Sequence, residues 1–409
     1  DEGVAQAVAQ LRPVLSFVSS VSRELVNGTT SATASLVAEY LVYDGGARRF
    51  AIEAAEETVL ATRQQLISLE QQVLLDAVTS YLNVWRDIQV VGVRERNVRV
   101  ITQQLRAAQD RFEVGEDTRT DVAQAEAQLA QARSQLAGAQ GHLDISRELF
   151  NLAVGRYPNG LSGPGSIPNI PRTEAAAQAL ARQEHPAIRA LQHEVRAAEL
   201  GIEQASAGLR PQIALDRRLT DTFNDTPPFG QEEFNSTATI GLTLTQPIYR
   251  GGQLLSLERQ ARAQAAAIRS SLNQQVRINL QLVGNAWAGM EIASAQIQAA
   301  DQQIAAAELA FQGVSEEAAL GARTTLDVLD AEQDVLEARI NRIQAQTDLF
   351  LSCYQLLAAA GLLTVENMHL SVPEYDPQAY ADMFANAPSR LSSPQGAQLD
   401  AVLERLGRN

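Results

Sequence analysis

The chain has 409 residues, of which 45% are hydrophobic, 20% are charged and only 5% are aromatic, and its formal net charge is −15. This length is sufficient for two or three ordinary domains, and the apolar content excludes a disordered chain. The acidic balance disfavours a nucleic-acid partner, because phosphates attract basic surfaces.

The first half of the chain begins with two predicted strands. Residues 13–25 and 32–43 are rich in Val, Ser, Thr, Leu and Tyr, and the turn-forming pair Asn27-Gly28 separates them. Residues 1–10 fit the last turns of a preceding helix. By comparison with the second half, we expect about 25 residues of mature chain before this point.

A long helix and a shorter returning helix follow. The stretch of about 46–113 contains no proline, and ~68 residues at 1.5 Å each would span roughly 100 Å. The return helix, about 119–153, carries an apolar residue at every seventh position from Val122 to Phe150. This spacing predicts coiled-coil packing, either as the wall of a tube or in a plain multi-helix bundle.

The same order of elements recurs after a segment rich in Pro and Gly. Tyr43-Asp44-Gly45-Gly46 returns as Tyr249-Arg250-Gly251-Gly252, and Gly115 returns as Gly321, both with an offset of about 206 residues. One duplication explains the common offset. The predicted elements of the second half are a helix at about 174–208, strands at about 211–223 and 235–248, a long helix at about 252–318 and a return helix at about 325–359.

We divide the chain by this duplication into two repeats. The first repeat is 1–155, a linker covers 156–173, the second repeat is 174–361, and 362–409 is an irregular tail. In the strand at 235–248, apolar residues alternate with threonine and glycine, which predicts one apolar and one polar face. We expect Ile240, Leu242 and Leu244 on the former, with Thr239, Thr243 and Thr245 on the latter.

The sequence offers little for catalysis. Its single cysteine, Cys353, lies in an apolar helical stretch and fits a buried core residue. The histidines are scattered and lack metal-binding spacing, and no phosphate-binding glycine pattern occurs. The four histidines are His142, His185, His193 and His369. We therefore predict that the protein is not an enzyme and binds neither a metal nor a cofactor.

Carboxylates cluster at the turn between the two helices of each repeat. Asp327 and Asp330 are three residues apart and share one face of the return helix. A simpler interpretation also holds. Thr118 and Thr324 are suitable N-caps, and an acid three residues later suits a helix start, which applies to Asp121 and Asp327. Asp330 could equally belong to a solvated face.

Two motifs resemble the TolC-like outer membrane efflux and secretion ducts of Gram-negative bacteria. One is Thr245-Gln246-Pro247-Ile248-Tyr249-Arg250-Gly251-Gly252, at the strand-to-helix corner. The other runs from Leu320 to Glu332, at the helix-to-helix tip. The resemblance covers nearly the whole chain and includes the duplication. It implies a mixed, mainly α fold, in which a homotrimer forms a twelve-stranded outer membrane β-barrel continuous with a periplasmic α-helical barrel. Four strands cannot close a membrane barrel alone, so membrane-spanning strands would require an oligomer.

The resemblance also implies a role for the tip. The pore gate would consist of Asp121, Arg323, Asp327 and Asp330, with Arg323 bridging to Asp121 or to a backbone carbonyl of an adjacent helix. Ala318 stands where many family members have a latch tyrosine, so the latch would be weaker. A periplasmic adaptor protein would dock on the tip turns, which contain Val114, Gly115, Leu320, Gly321 and Ala322.

The predicted function is therefore an outer membrane exit duct of a tripartite type I secretion or efflux system. It would be a passive channel that an adaptor and an inner-membrane ABC or other transporter open, and its surroundings would be outer membrane lipid and the periplasm. The alternative is a periplasmic coiled-coil scaffold without a channel. The sequence does not identify the cargo.

Overall fold

The computed structural model describes residues 2–25, 30–226, 231–370 and 372. These residues form seven helices and four strands and are mainly helical, in agreement with the predicted fold class. In chain order the elements are α1 (Glu2–Ala9), β1 (Val14–Arg23), β2 (Thr30–Tyr43), α2 (Ala47–Glu113), α3 (Arg119–Val154), α4 (Glu174–Glu184), α5 (Pro186–Ala207), β3 (Gln212–Thr226), β4 (Gln231–Thr245), α6 (Gln253–Ala319) and α7 (Thr325–Ala359).

The chain divides into two compact units, and α2 and α6 contribute residues to both. The first unit includes Asp1–Leu66 and Ala187–Gln275, and the second includes Ile67–Pro186 and Val276–Val372. Each unit therefore takes segments from both halves of the duplicated sequence.

The first unit contains a four-stranded antiparallel sheet in the order β1-β2-β3-β4. Pairing between β2 and β3 joins the strands of the two repeats, with Leu36 opposite Leu219. At the corner after β2, the Asp44 carboxylate accepts hydrogen bonds from the backbone N–H groups of Gly46 and Arg48, both at 3.0 Å, and caps α2. The Arg48 guanidinium binds the same carboxylate at 2.8 Å, so the chain reversal is fixed by a largely buried ion pair.

The second unit is built on packed helices with small residues at their contacts. Near the ends of the helical hairpins, Ile101 of α2, Ala125 and Leu129 of α3 and Leu329 of α7 form one buried cluster. A second cluster joins α4, α6 and α7 around Val283 and contains the buried Cys353. The alanines of these seams allow close approach between helix backbones, and the first cluster joins both repeats.

The helix predicted over about 174–208 is divided into α4 and α5. His185 between them has an extended backbone conformation, with φ of −64° and ψ of 123°, and Pro186 is the first residue of α5. Proline disfavours helical geometry in the residue before it and has no N–H to donate, which accounts for the break. None of the described helices has the length and apolar character needed to cross a membrane.

Candidate functional site

Both tip turns are helix C-terminal caps of the same design. Gly115 and Gly321 have φ of +84° and +78°, the left-handed region that glycine adopts without strain. Glu116 N–H donates to the Arg111 carbonyl at 2.9 Å, and Ala322 N–H donates to the Glu317 carbonyl at the same distance. These bonds, five residues back along the chain, are those of a Schellman motif. The glycines are therefore required by backbone geometry.

The acids at the start of the return helices form capping boxes. The Asp121 carboxylate accepts from Thr118 N–H at 3.0 Å, and Asp327 accepts from Thr324 N–H at 2.9 Å, while each threonine hydroxyl accepts from the aspartate N–H. The side-chain hydrogen bond from Thr118 lowers the pKa of Asp121, and the backbone hydrogen bond from Thr324 lowers the pKa of Asp327. Within one chain these two carboxylates stay ionised at neutral pH.

The other two predicted gate residues are exposed at the second tip. Asp330 lies on an exposed position of α7, one helical turn after the half-buried Asp327. Within the chain, Arg323 binds its own hairpin: its Nε donates to Glu317 Oε2 at 2.9 Å. The expected partner Asp121 is instead engaged in its capping box, so a bridge between Arg323 and Asp121 stays a prediction for an assembly of chains.

Each tip turn is braced by one ion pair, and the order of cation and anion along the chain is reversed between the two turns. In the first repeat, Arg111 Nε donates to Asp117 Oδ2 at 3.0 Å across the turn. The residues 206 positions later are Glu317 and Arg323, which form the corresponding pair with cation and anion exchanged. Sequence reasoning missed Arg111, Asp117 and Glu317, although comparison of the two repeats would have found them.

The first of these ion pairs also connects the two repeats. Arg111 Nη2 donates to the Thr325 hydroxyl at 3.0 Å, and that hydroxyl lies 3.3 Å from the Asp117 carboxylate. Thr325 is buried at the first position of α7. The start of the second return helix is thereby tied to the first tip turn. The turns themselves present apolar side chains to solvent, with Val114 and Leu320 largely exposed.

The sheet has one apolar and one polar face, and the register assigns residues to each. Leu15, Ala38, Ile240 and Leu242 lie on the apolar face, while Thr239 and Thr243 lie on the other. Phe17, Ile240 and Leu242 are all at least 70% exposed within the chain. The register continues the two faces of β4 across all four strands, although Val14, Val18 and Val37 lie on the polar face and Arg217 and Asp221 lie on the apolar face.

Burial along β2 is the reverse of that in a soluble sheet. Three successive residues of β2, Ser35, Leu36 and Val37, are 8%, 41% and 6% exposed. Ser35 lies on the polar face and its hydroxyl bonds to that of Thr220 on β3 at 2.9 Å. A soluble sheet buries its large apolar residues and exposes its serines. In β2 the polar face is therefore the more buried one, whereas on the outer strand β1 both faces are exposed within the single chain.

Potential metal ligands and the single cysteine are the remaining features of chemical interest. Among the described residues, no group of three or more His, Cys, Asp or Glu could hold a metal ion. Cys353 lies buried with its sulfur 3.5 Å from that of Met290. Burial raises the pKa of the Cys353 thiol, which disfavours the reactive thiolate.

Sequence comparison identifies relatives over almost the full length of the chain. The family model for outer membrane efflux proteins matches residues 1–156 and 178–362. The outer membrane efflux protein BepC of Brucella suis is 33% identical over 399 residues, which cover 97% of this chain and 87% of BepC. The alkaline protease secretion protein AprF of Pseudomonas aeruginosa is 25% identical over 321 residues, which cover 76% of this chain and 66% of AprF.

Structural comparison gives the same fold. The outer membrane protein VceC of Vibrio cholerae superposes with a TM-score of 0.76 at 20% sequence identity, over 88% of this chain and 89% of that one. At this level of identity the likeness concerns the fold alone.

Proposed function

The chain belongs to the outer membrane efflux protein family, and we propose that its sheet forms the membrane wall of an exit duct while its helix-hairpin tips form the gate. The function predicted from sequence is confirmed: the protein is an outer membrane duct of the efflux and type I secretion class. Members of this family are transport channels, which fits the prediction that the chain is not an enzyme.

The burial pattern of the sheet is the observation that carries this function. A large, exposed apolar face is unfavourable in water and marks a membrane or protein contact. The opposite face bears hydroxyl and charged groups, including Ser35, Asp216 and Arg218, which suit a water-filled lumen. A coiled-coil scaffold in the periplasm would need neither face. The channel is therefore favoured over that alternative.

Assembly follows from the edges of the sheet. β1 and β4 each have one neighbour in the chain, so each leaves a row of backbone groups unpaired. Such edges are not tolerated in lipid and must pair with other chains. We propose a homotrimer, with β4 of one protomer beside β1 of the next, to give a closed barrel of twelve strands.

The gate and its partners are part of the same proposal. A ring of Asp330 carboxylates, supported by the ionised Asp327 and Asp121, would attract cations at the narrow end of the duct. Arg323 would bridge to a neighbouring chain when the gate is closed. The exposed Val114 and Leu320 would contact the hairpin of a periplasmic adaptor, which links the duct to an inner-membrane transporter.

Single-channel recording of the purified protein in a planar bilayer tests the function. We expect a small, cation-selective conductance, because the tip carboxylates restrict and select the passing ions. A protein that purifies without detergent and adds no conductance would contradict the duct. Trimer formation is measured separately, by native mass spectrometry of the detergent-solubilised protein.

A further inference from the structure

Arg217 lies within the apolar face of the sheet, toward the end from which the long helices leave. It is directly opposite Ala38 on β2 and Ile240 on β4. The nearest residues on the same face of its own strand are Leu215 and Leu219, two positions before and after it. This side chain is therefore a cation that apolar side chains surround in all four directions along the sheet.

The cation has no counter-ion among the residues that the structure describes. The nearest acid on this face of β3, Asp221, is four positions further along the strand, about 13 Å away. Asp221 instead accepts a hydrogen bond from the Ser236 hydroxyl at 2.6 Å. A charged side chain on a lipid-facing surface is costly unless it reaches an interface or a partner of opposite charge.

Aromatic residues define the depth of Arg217 on this face. Tyr40 is opposite Leu215, one rung closer to the end of the sheet from which the long helices leave, and Phe223 and Phe234 pair near the other end. From Leu215 to Phe223 the strand rises about 27 Å, or about 20 Å in height at the usual tilt. We assign these two levels to the aromatic belts at the two interfaces of a bilayer, because their separation is close to the apolar band of about 25 Å in such barrels. Phe17, level with Leu219, lies between them. Arg217 thus lies one rung inside the belt on the helix side.

We propose that Arg217 binds the phosphate of a phospholipid headgroup in the leaflet on the helix side of the membrane. The inference rests on the proposed function, which places the apolar face in lipid. An arginine side chain is long enough to extend from one rung inside the belt to the headgroups. Its guanidinium can donate two parallel hydrogen bonds to phosphate oxygens, and such a bond is strong where water is scarce. In an outer membrane the leaflet on the helix side consists of phospholipid. The expected ligand of Arg217 is therefore a phospholipid and not lipopolysaccharide.

The test is titration of the detergent-solubilised oligomer with phosphatidylglycerol, followed by native mass spectrometry. In Arg217→Gln we expect the affinity for the first bound lipids to fall by about fivefold or more, which corresponds to the loss of one cation near a lipid phosphate. Arg217→Lys should keep part of the affinity, because the charge remains. The matched control is Arg218→Gln, which removes the neighbouring cation from the polar face and should bind phosphatidylglycerol as the parent does.

Three results would overturn the inference. They are equal phosphatidylglycerol affinity in Arg217→Gln and the parent, an equal loss in Arg218→Gln, and a preference of the Arg217 site for lipid A over phosphatidylglycerol. The conductance of the same preparations separates this failure from a failure of the proposed function. A parent that conducts but binds lipid independently of Arg217 disproves the lipid site alone, whereas a parent that forms no channel disproves the duct.

Discussion

His185, at the break between α4 and α5, couples the fold to pH. Burial lowers the pKa of this histidine from 6.5 to about 4. The unfolded chain therefore binds a proton at higher pH than the folded chain does. Stability is complete above pH 6.5 and decreases as the pH falls toward 4, by at most about 1.4 kcal/mol per pH unit for each chain.

We expect His185→Gln to remove this pH dependence. The parent should show an unfolding temperature that decreases between pH 6.5 and pH 4.5, while the variant should show a smaller decrease over the same interval. His142→Gln, at an exposed position of α3, is the matched control and should behave as the parent. Parallel curves for the parent and His185→Gln would show that burial of this imidazole does not affect stability.

Asp327 and Asp330 are three residues apart but have different environments, so their variants should separate stability from selectivity. Asp330→Asn removes a charge that has no capping role, and we expect lower cation selectivity with an unchanged unfolding temperature. Asp327→Asn weakens the capping box with Thr324 and should also lower the unfolding temperature. Reversal potentials in asymmetric salt measure the first effect. An unchanged reversal potential in Asp330→Asn would remove this residue from the gate.

The two ion pairs that brace the tip turns, Arg111–Asp117 and Glu317–Arg323, occupy equivalent positions in the two repeats, so their variants can be compared directly. Arg111→Ala breaks both the ion pair with Asp117 and the hydrogen bond to Thr325 of the other repeat, whereas Glu317→Ala breaks only the local pair with Arg323. We expect Arg111→Ala to raise the single-channel conductance more than Glu317→Ala does, because it releases a connection between repeats. Equal conductances would limit both pairs to local bracing of their turns.

The seam between α2 and α3 is tested by its alanines. Ala132 is 4% exposed in a cluster with Ile101 and Leu129. Ala132→Leu should overpack this contact and lower the free energy of unfolding by about 1–3 kcal/mol. Ala130→Leu, on an exposed position of the same helix, is the control and should have little effect. Chemical denaturation measures both, and equal stability of the two variants would contradict the seam.

Much of this architecture could be read from local sequence patterns. Alternation along β4, the seven-residue spacing of α3 and the tip glycines each depend on residues close in the chain, and the predicted fold class is confirmed. The contact of Arg111 with Thr325 could not be read, because it joins residues 214 positions apart. The pairing of Arg323 with Glu317 is visible only when the two repeats are aligned, because the cation and the anion exchange positions between them. The break in the helix predicted over about 174–208 could have been predicted from Pro186, because proline disfavours helical geometry in the residue before it.

For the whole molecule, the orientation of the sheet in the membrane makes the decisive prediction. If the apolar face contacts lipid, the cost of an introduced arginine depends on depth. Leu219 lies midway between the two aromatic belts, and Leu242 lies level with Tyr40, at the belt on the helix side. Leu219→Arg should therefore cost about 2–4 kcal/mol and Leu242→Arg about 1 kcal/mol or less.

The matched control for these variants is Thr237→Arg, which places the same charge on the polar face, opposite the neutral Thr220 and at nearly the depth of Leu219. We expect this variant to assemble as the parent does, since the face would line a water-filled lumen, and to alter conductance instead. The measurement is the fraction of oligomer that withstands increasing temperature in detergent before electrophoresis, together with single-channel recording. The order of heat resistance should be Thr237→Arg above Leu242→Arg above Leu219→Arg. If Leu219→Arg is as heat-resistant as Thr237→Arg, the apolar face does not contact lipid, and both the orientation of the sheet and the lipid site at Arg217 are wrong.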